Sequence, residues 1–390
     1  MYDLIIIGGG PSGSQAGRFA GNEGLKTLLI EKDRFPRSKP CGGALSEKAL
    51  SYLDFELPKE ICEKEIYGAR LRFRDQTIES CKDFRLATMI TRSSFDNYLL
   101  EKAGETGIEI RTGERVIDFK ETGDHIEVYT KAETFRSKFL ILAEGAQGKL
   151  KNRIRKRDPE NEYGICLVAD IEADNEKIDD FLPGILEIHF GLIHMGYGWV
   201  FPHDNYYSVG IGSFARQWPE TKKLMSDFLK KNGFNGRYRV RGHLIPAGGI
   251  RRKNVGTRVI LTGDAAGFVD PLSGEGIAYA VRSGQIAGEV ITQIAAKGKA
   301  LSTLKDYERI CRNEFERNFR YALLMAKLTH RFSNVIYRVM KNSTESFDKF
   351  LEVQTMKRQY LSYLGWLIPR IPGYLFPREL GSLIKRHPVK

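Results

Sequence analysis

The stretch from Tyr2 to Lys32, YDLIIIGGGPSGSQAGRFAGNEGLKTLLIEK, constrains the fold more than any other part of this chain. An apolar run at Leu4–Ile7 leads into Gly8-Gly9-Gly10-Pro11-Ser12-Gly13. A helix-compatible segment follows, and a second apolar run, Thr27–Ile30, ends at Glu31. The order is strand, glycine turn, helix, strand, acid. Gly8 permits the tight turn, Gly10 lets a pyrophosphate approach the backbone, and Gly13 lets the helix pack close to the strands. Unpaired N–H groups at the helix start face the phosphates. Glu31 stands where a carboxylate accepts hydrogen bonds from ribose hydroxyls. A GxGxxG alone is a weak signal, but with both strands and the acid in place it predicts a bound dinucleotide.

With 390 residues the chain has room for two or three domains. Its net charge of +12 is uneven, because residues 301–390 carry 17 Lys or Arg against 8 Asp or Glu. A basic end of that kind suits an anionic membrane surface or an acidic protein. No nucleic-acid module accompanies the charge, so nucleic acid is not expected as a partner. The five cysteines, Cys41, Cys62, Cys81, Cys166 and Cys311, are scattered without CxxC or metal spacing. That pattern predicts a reducing compartment and no disulfide framework. The first apolar run turns straight into the glycine loop, so no signal peptide is expected, and a cytoplasmic location, peripheral at the membrane, is expected. No run of 18 uncharged apolar residues is present, so no spanning helix is expected.

Further along, Cys41-Gly42-Gly43 makes a second loop where backbone can approach a flat ring. Ser46 is placed to start a helix. Residues 66–90 alternate as strands. A serine cap then opens a helix running to Lys102, with Arg92 at its mouth. The Arg92 fork suits phosphate or ribose, or an ion pair with Asp96. Residues 108–145 read as strands, and the last, Phe139–Ala143, is apolar enough for a central parallel position. From about Tyr163 an alternating, aromatic-rich pattern predicts an antiparallel sheet in a separate layer over the cofactor. Residues 219–231 read as a surface helix. A second return to the nucleotide domain follows at Arg258–Ala266, then Asp270–Ile277 and a small-residue helix to about Ala296. The last 90 residues read as mostly helical.

Asp264 follows an apolar strand in a second glycine-bearing turn. A nicotinamide dinucleotide needs only the first turn, whereas a flavin dinucleotide has a ribityl chain and a redox ring to be held elsewhere. A carboxylate at a strand end suits ribityl hydroxyls. The helix opened by Gly274–Ile277 suits the negative edge of a reduced flavin.

The GxGxxG loop, the RxxFD helix start, the GDAA turn and the PLxGxGI turn, in this order, resemble FAD proteins of the hydroxybenzoate-hydroxylase fold. Pro40-Cys41-Gly42-Gly43 and Tyr197-Gly198-Trp199-Val200-Phe201-Pro202 resemble the PCGG-type and YxWxFP motifs of the geranylgeranyl reductase family, which includes archaeal digeranylgeranylglycerophospholipid reductases. The resemblance covers roughly residues 1–300. It implies an α/β fold: a Rossmann-like FAD-binding domain (1–65, 91–162 and 245–300), an antiparallel β-sheet substrate domain (66–90 and 163–244), and a C-terminal helical, basic region (301–390). It implies that Gly8, Gly10, Gly13 and Glu31 hold the ADP half of FAD, and that Ser12 and Lys32 also bind the cofactor. Arg92 and Val116 would contact the cofactor, and Asp264, Gly274, Gly276 and Ile277 would hold the ribityl–flavin half. Cys41 and Gly42 would lie by the isoalloxazine ring, with Cys41 a candidate proton donor. Tyr197, Trp199 and Phe201 alternate along a strand and so share one face, an apolar wall suited to a polyprenyl chain.

The implied reaction is saturation of isoprenoid C=C bonds, with hydride from reduced flavin and a proton to the neighbouring carbon. NAD(P)H or a ferredoxin would supply electrons. Tyr360, Tyr363, Trp366, Tyr374 and Phe376, beside Arg370, suit a membrane interface, so peripheral binding to anionic membrane is expected of that segment. Two departures from the common pattern stand out: Glu144 before Gly145, and Glu275 inside the Gly274–Gly276 turn. Two other functions are compatible with the motifs. A flavin monooxygenase or halogenase would act on an aromatic substrate, and a halogenase would be expected to show WxWxIP. A non-enzymatic isoprenoid-lipid carrier would not need a complete flavin cradle.

Overall fold

The computed structural model describes residues 1–193, 195–213, 218–247, 250–355 and 357–375. Its first part runs β1 (Tyr2–Ile7), α1 (Pro11–Asn22), β2 (Thr27–Glu31), β3 (Ala44–Ser46), α2 (Glu47–Ser51), β4 (Lys64–Ile66), β5 (Gly68–Phe73), β6 (Gln76–Cys81), β7 (Ala87–Met89) and α3 (Arg92–Gly104). Next come β8 (Glu109–Thr112), β9 (Asp118–Glu121), β10 (Ile126–Tyr129), β11 (Thr134–Leu142), β12 (Gly164–Glu172), α4 (Asn175–Phe181), β13 (Ile185–Phe190), β14 (Tyr197–Pro202) and β15 (Tyr206–Ser213). Then α5 (Trp218–Lys231), β16 (Arg241–Ile245), β17 (Val259–Leu261), α6 (Gly263–Ala266) and α7 (Ile277–Ala295) lead to the C-terminal helices. These are α8 (Lys305–Cys311), α9 (Arg317–Arg331), α10 (Ser333–Asn342), α11 (Thr344–Gln354), α12 (Tyr360–Leu367) and α13 (Ile371–Leu375).

The first sheet has the order β8-β2-β1-β11-β10-β9, with β17 beside β11. Its β8, β2, β1, β11 and β17 pair in parallel. Leu4, Ile5, Ile6, Leu28, Leu29, Leu140 and Ile141 are fully buried, which explains why these strands are continuous apolar runs. Helices α1 and α7 pack backbone to backbone: a Cβ on Gly284 would lie 2.1 Å from the Ser12 carbonyl oxygen. The small residues of α7 thus let it seat on the glycine-loop helix.

The second sheet has the order β16-β12-β15-β14-β13-β5-β6 and is antiparallel except where β13 pairs with β5. From the stretch 66–90, β5 and β6 join this sheet, while β7 pairs with β3 and β4. Alternation along β14 divides its side chains between two faces. Val200 packs into a core with Met225 and Phe228 of α5, while Trp199 packs with Tyr197 and Phe201 on the opposite face.

The C-terminal helices close the other end. Tyr337 and Met340 of α10 and Phe347 and Leu351 of α11 share a core with Leu71 and Phe73 of β5. Tyr360 and Tyr363 are buried in a neighbouring core, which corrects the reading of these two rings as interface aromatics. Phe376, the other end of that segment, lies outside the described residues. No helix among the described residues is long and apolar enough to cross a membrane.

Candidate functional site

The two sheets and the C-terminal helices enclose one cavity of about 980 Å³. All the site residues singled out above line it except Gly13. Gly13 is a packing residue: a Cβ there would stand 1.8 Å from the Gly8 carbonyl oxygen. Gly8 itself has φ +109°, and a Cβ on it would meet the Ala143 carbonyl oxygen at 2.4 Å. The first contact holds α1 against the end of β1, and the second holds the ends of β1 and β11 together. Gly10 caps α1 without a side-chain hydrogen bond, and Pro11 occupies the first turn. Ser12 Oγ accepts from Thr262 Oγ1 at 3.2 Å, joining the glycine loop to the end of β17.

Glu31 is buried, and its carboxylate accepts from Gly9 N at 2.7 Å and Asp33 N at 2.9 Å. It therefore shapes the loop as well as facing the cavity. Lys32 stands at the rim, paired with Asp33. Thr91, not a serine, caps α3, and its hydroxyl binds Glu63 rather than a helix amide. Arg92 is buried and grips Asp96 through Nε and Nη2 with two bonds of 2.8 Å, and it also lines the cavity. Burial works against its charge, but Asp96 more than compensates and holds the guanidinium protonated.

Arg37, missed in the sequence, also reaches Asp96, Nη2 to Oδ2 at 3.1 Å. Its Nη2 lies 3.3 Å from where a Gly10 Cβ would stand, so a cation overlooks the glycine loop. Two residues on, Lys39 Nζ pairs with Asp264 Oδ2 at 3.0 Å, with His243 Nε2 at 3.8 Å. Burial alone would raise the Asp264 carboxyl, but Lys39 and His243 hold it well below the usual carboxylate range. The residue is thus a fixed anion and hydrogen-bond acceptor at the cavity wall, against the Gly276 turn.

Glu275 does not leave a bare negative charge in that turn. Lys48 Nζ binds its Oε2 at 2.9 Å, and Ser46 Oγ donates to Oε1. Burial would lower the Lys48 ammonium, yet Glu275 and Tyr279 more than reverse this and keep it charged. Ser46 also caps α2 through Ala49 N. Asp270, buried in the same turn, accepts from Leu272 N and Ser273 N at 2.9 Å and from Tyr360 Oη at 3.2 Å. Glu144 accepts from Lys151 N at 2.7 Å and Leu150 N at 3.2 Å.

The aromatic strand faces the Cys41 loop. Tyr197, Trp199 and Phe201 follow one another with ring centroids 6.1 Å apart. Tyr197 donates its hydroxyl to the Ser273 carbonyl oxygen, and burial holds that phenol well above its ordinary value. A Cβ on Gly42 would meet Phe201 at 3.0 Å and Trp199 Nε1 at 3.3 Å, so the rings lie directly on the loop backbone. Cys41 Sγ accepts from Gly43 N at 3.5 Å. Cys166 lines the same cavity, but burial, and then Cys41, push its thiol up to about 12. Behind the loop, His203 bridges the Gly42 carbonyl oxygen, 3.1 Å from Nε2, and Glu63, with Tyr206 stacked on its ring. Beyond the rings, Phe347, Phe350 and Leu351 of α11 complete an apolar end.

Two observations test whether a long, two-ended ligand fits. One cavity is lined both by the charged and glycine-rich loops of the first sheet and by aromatic and aliphatic side chains of the second sheet and α11. Trp199 Nε1, a buried donor in the wall, has no hydrogen-bond partner among the described residues. Both fit a dinucleotide with a flat ring near Cys41 and an apolar chain beyond it.

The family model described as FAD binding domain matches residues 1–321. The geranylgeranyl diphosphate reductase of Rhodobacter capsulatus is 32% identical over 320 residues, 76% of this chain and 77% of that protein. The digeranylgeranylglycerophospholipid reductase of Methanococcus vannielii is 28% identical over 368 residues, 89% and 92% of the two chains. Among solved structures, a geranylgeranyl bacteriochlorophyll reductase-like protein from Thermoplasma acidophilum superposes with a TM-score of 0.79 at 22% identity, covering 98% of each chain.

Proposed function

The chain belongs to the FAD binding domain family and, within it, to the geranylgeranyl reductases, and from that premise we propose that it saturates C=C bonds of geranylgeranyl chains carried by membrane lipids. It is an FAD-dependent oxidoreductase. One observation carries the substrate reading: the glycine-loop lining, the rings of Tyr197, Trp199 and Phe201, and the apolar side chains of α11 all belong to one cavity.

In this reading Gly8, Gly10, Ser12, Glu31, Lys32 and Val116 hold the ADP half, with Arg37 as the cation over the loop. Arg92 acts through Asp96, by fixing Arg37. Asp264 and the Gly274–Ile277 turn hold the ribityl and ring half. Bound there and reduced, FAD would supply hydride chemistry for one alkene carbon. The protein positions the alkene: a double bond fixed for reaction by the aromatic wall would gain up to about 11 kcal/mol over free encounter. Cys41, in the loop facing that wall, is the side chain placed to hold the proton for the other carbon. Phe190, Phe347, Phe350 and Leu351 keep water from the chain. Electrons reach the cofactor from NAD(P)H or a ferredoxin, and the enzyme works at the surface of the membrane that carries its substrate.

The test is anaerobic. Protein whose flavin has been reduced with dithionite is mixed with geranylgeranyl phospholipid, and flavin reoxidation is followed beside the mass of the lipid. Reoxidation with mass gains in steps of two hydrogens supports the reading. Flavin that stays reduced until oxygen is admitted overturns it in favour of a monooxygenase.

A further inference from the structure

Between Glu316 and Glu345 the chain has no Asp or Glu and six Lys or Arg. Helices α9 and α10 occupy this interval. On α9, Arg317, Arg320, Leu324, Lys327 and Arg331 recur at steps of three and four, which places them on one face, and all five are exposed. The opposite face, with Phe319, Ala322, Met325 and Ala326, is already buried. Leu324 is 45% exposed, Phe332 at the turn into α10 is 50% exposed, and Val335 is 37% exposed. None of the six cations forms a salt bridge among the described residues. The helices are therefore packed on one side and on the other present cations without salt bridges among the described residues, interleaved with exposed apolar side chains; of the six, Lys341 donates to Gln76 Oε1 at 3.2 Å.

This corner adjoins the cavity. Met195 N donates to His330 Nδ1 at 3.3 Å, and Met195 lines the cavity wall. From α10, Tyr337 stacks on Phe73 with centroids 5.0 Å apart.

We propose that the α9–α10 corner is the surface that seats the protein on an anionic lipid bilayer. The cations meet headgroup phosphates while Leu324, Phe332 and Val335 enter the interface. A solely acidic protein partner would match the charges but leave the apolar side chains unexplained. The inference deepens the reading above and rests on its lipid-borne substrate: docking here brings the cavity wall at Met195 to the surface from which a prenyl chain must come. It also moves the membrane contact away from Tyr360 and Tyr363, which are core.

The test is co-sedimentation of the holoenzyme with phosphatidylcholine vesicles, with and without phosphatidylglycerol. The expected result is binding to the anionic vesicles alone. Each neutralised cation costs about fivefold in affinity, so K327Q/R331Q binds roughly 25-fold more weakly. Phe332→Ser binds about tenfold more weakly with an unchanged salt dependence. Both variants keep their FAD absorbance and their turnover on detergent-dispersed substrate, and the conservative K327R/R331K binds as the wild type does. Wild-type protein that ignores anionic vesicles overturns the proposal, as does K327Q/R331Q binding them normally. Variants that bind vesicles normally but lose reduction by an acidic electron carrier also overturn it, and assign the face to a protein. Vesicle binding as described, in a protein that reduces no prenyl chain, supports this surface while sinking the reductase reading.

Discussion

Lys48 and Glu275 form a buried ion pair, Nζ to Oε2 at 2.9 Å, between residues 227 positions apart. The pair pins α2 to the turn that opens α7. Removing one partner of a buried pair leaves the other charge uncompensated, at a cost of roughly 3–5 kcal/mol. Lys48→Met is therefore expected to lose about 3 kcal/mol in denaturant unfolding. The double variant K48M/E275Q should recover most of that loss, and equal instability of single and double variants would refute the coupling.

Arg37 and Arg92 share Asp96 but differ in what they face. Arg92 has both of its bonds inside the protein, whereas Arg37 also overlooks Gly10. Charge-assisted hydrogen bonds contribute about 1.5–3 kcal/mol. Arg37→Ala should weaken FAD binding to the apoprotein ten- to a hundredfold by calorimetric titration with little loss of stability. Arg92→Ala should do the reverse, lowering stability more than affinity. Unchanged FAD affinity in Arg37→Ala would remove that residue from the cofactor site.

Asp264 sets a pH dependence. Lys39 and His243 hold its carboxyl below the unfolded value of 3.8 despite burial. A depressed carboxyl contributes stability that is fully present above the unfolded value and is lost as pH falls through the folded one. Asp264→Asn should therefore be less stable than the wild type at pH 7, and the gap should shrink as pH falls below about 4. A gap that is constant with pH in acid unfolding curves would rule this out.

Cys41 and Cys166 line the same cavity, but only Cys41 belongs to the glycine-rich loop beneath the aromatic wall. If Cys41 holds the proton, Cys41→Ser should lower turnover about a hundredfold, within the range of general acid catalysis, and leave FAD content unchanged. Cys166→Ser should keep near-wild-type turnover. Full turnover in Cys41→Ser would assign the proton to another source.

The cofactor half of this site was legible because its signals are local. Gly8, Gly10 and Gly13 lie within six residues, Glu31 ends the next strand, and Asp264 and Gly274–Ile277 follow the same turn logic. The cations were not legible, because their partners are remote: Lys39 pairs across 225 positions and Lys48 across 227. Arg92 and Asp96 could be read as neighbours on a helix, but only packing decides that the pair is buried. Composition alone could not tell whether Tyr360 and Tyr363 meet lipid or protein. The stripe Phe347, Phe350, Leu351 and Gln354 recurs at helical spacing along α11. What it covers became clear only once α11 was seen to close the cavity.

That face carries the last prediction. Phe350 is partly buried between Tyr363 and the cavity, so its ring has protein on one side and room for substrate on the other. Truncating it removes apolar surface that a prenyl chain would cover, about 2 kcal/mol for a side chain of this size. That contact is made equally by bound substrate and by the transition state, so it is uniform binding. Phe350→Ala should thus raise KM roughly thirtyfold with kcat nearly unchanged. FAD affinity should not move, because the polar end of the cavity is untouched. A fall in kcat at constant KM would mean that α11 positions the double bond itself, and loss of FAD would mean that the two ends of the cavity are not independent.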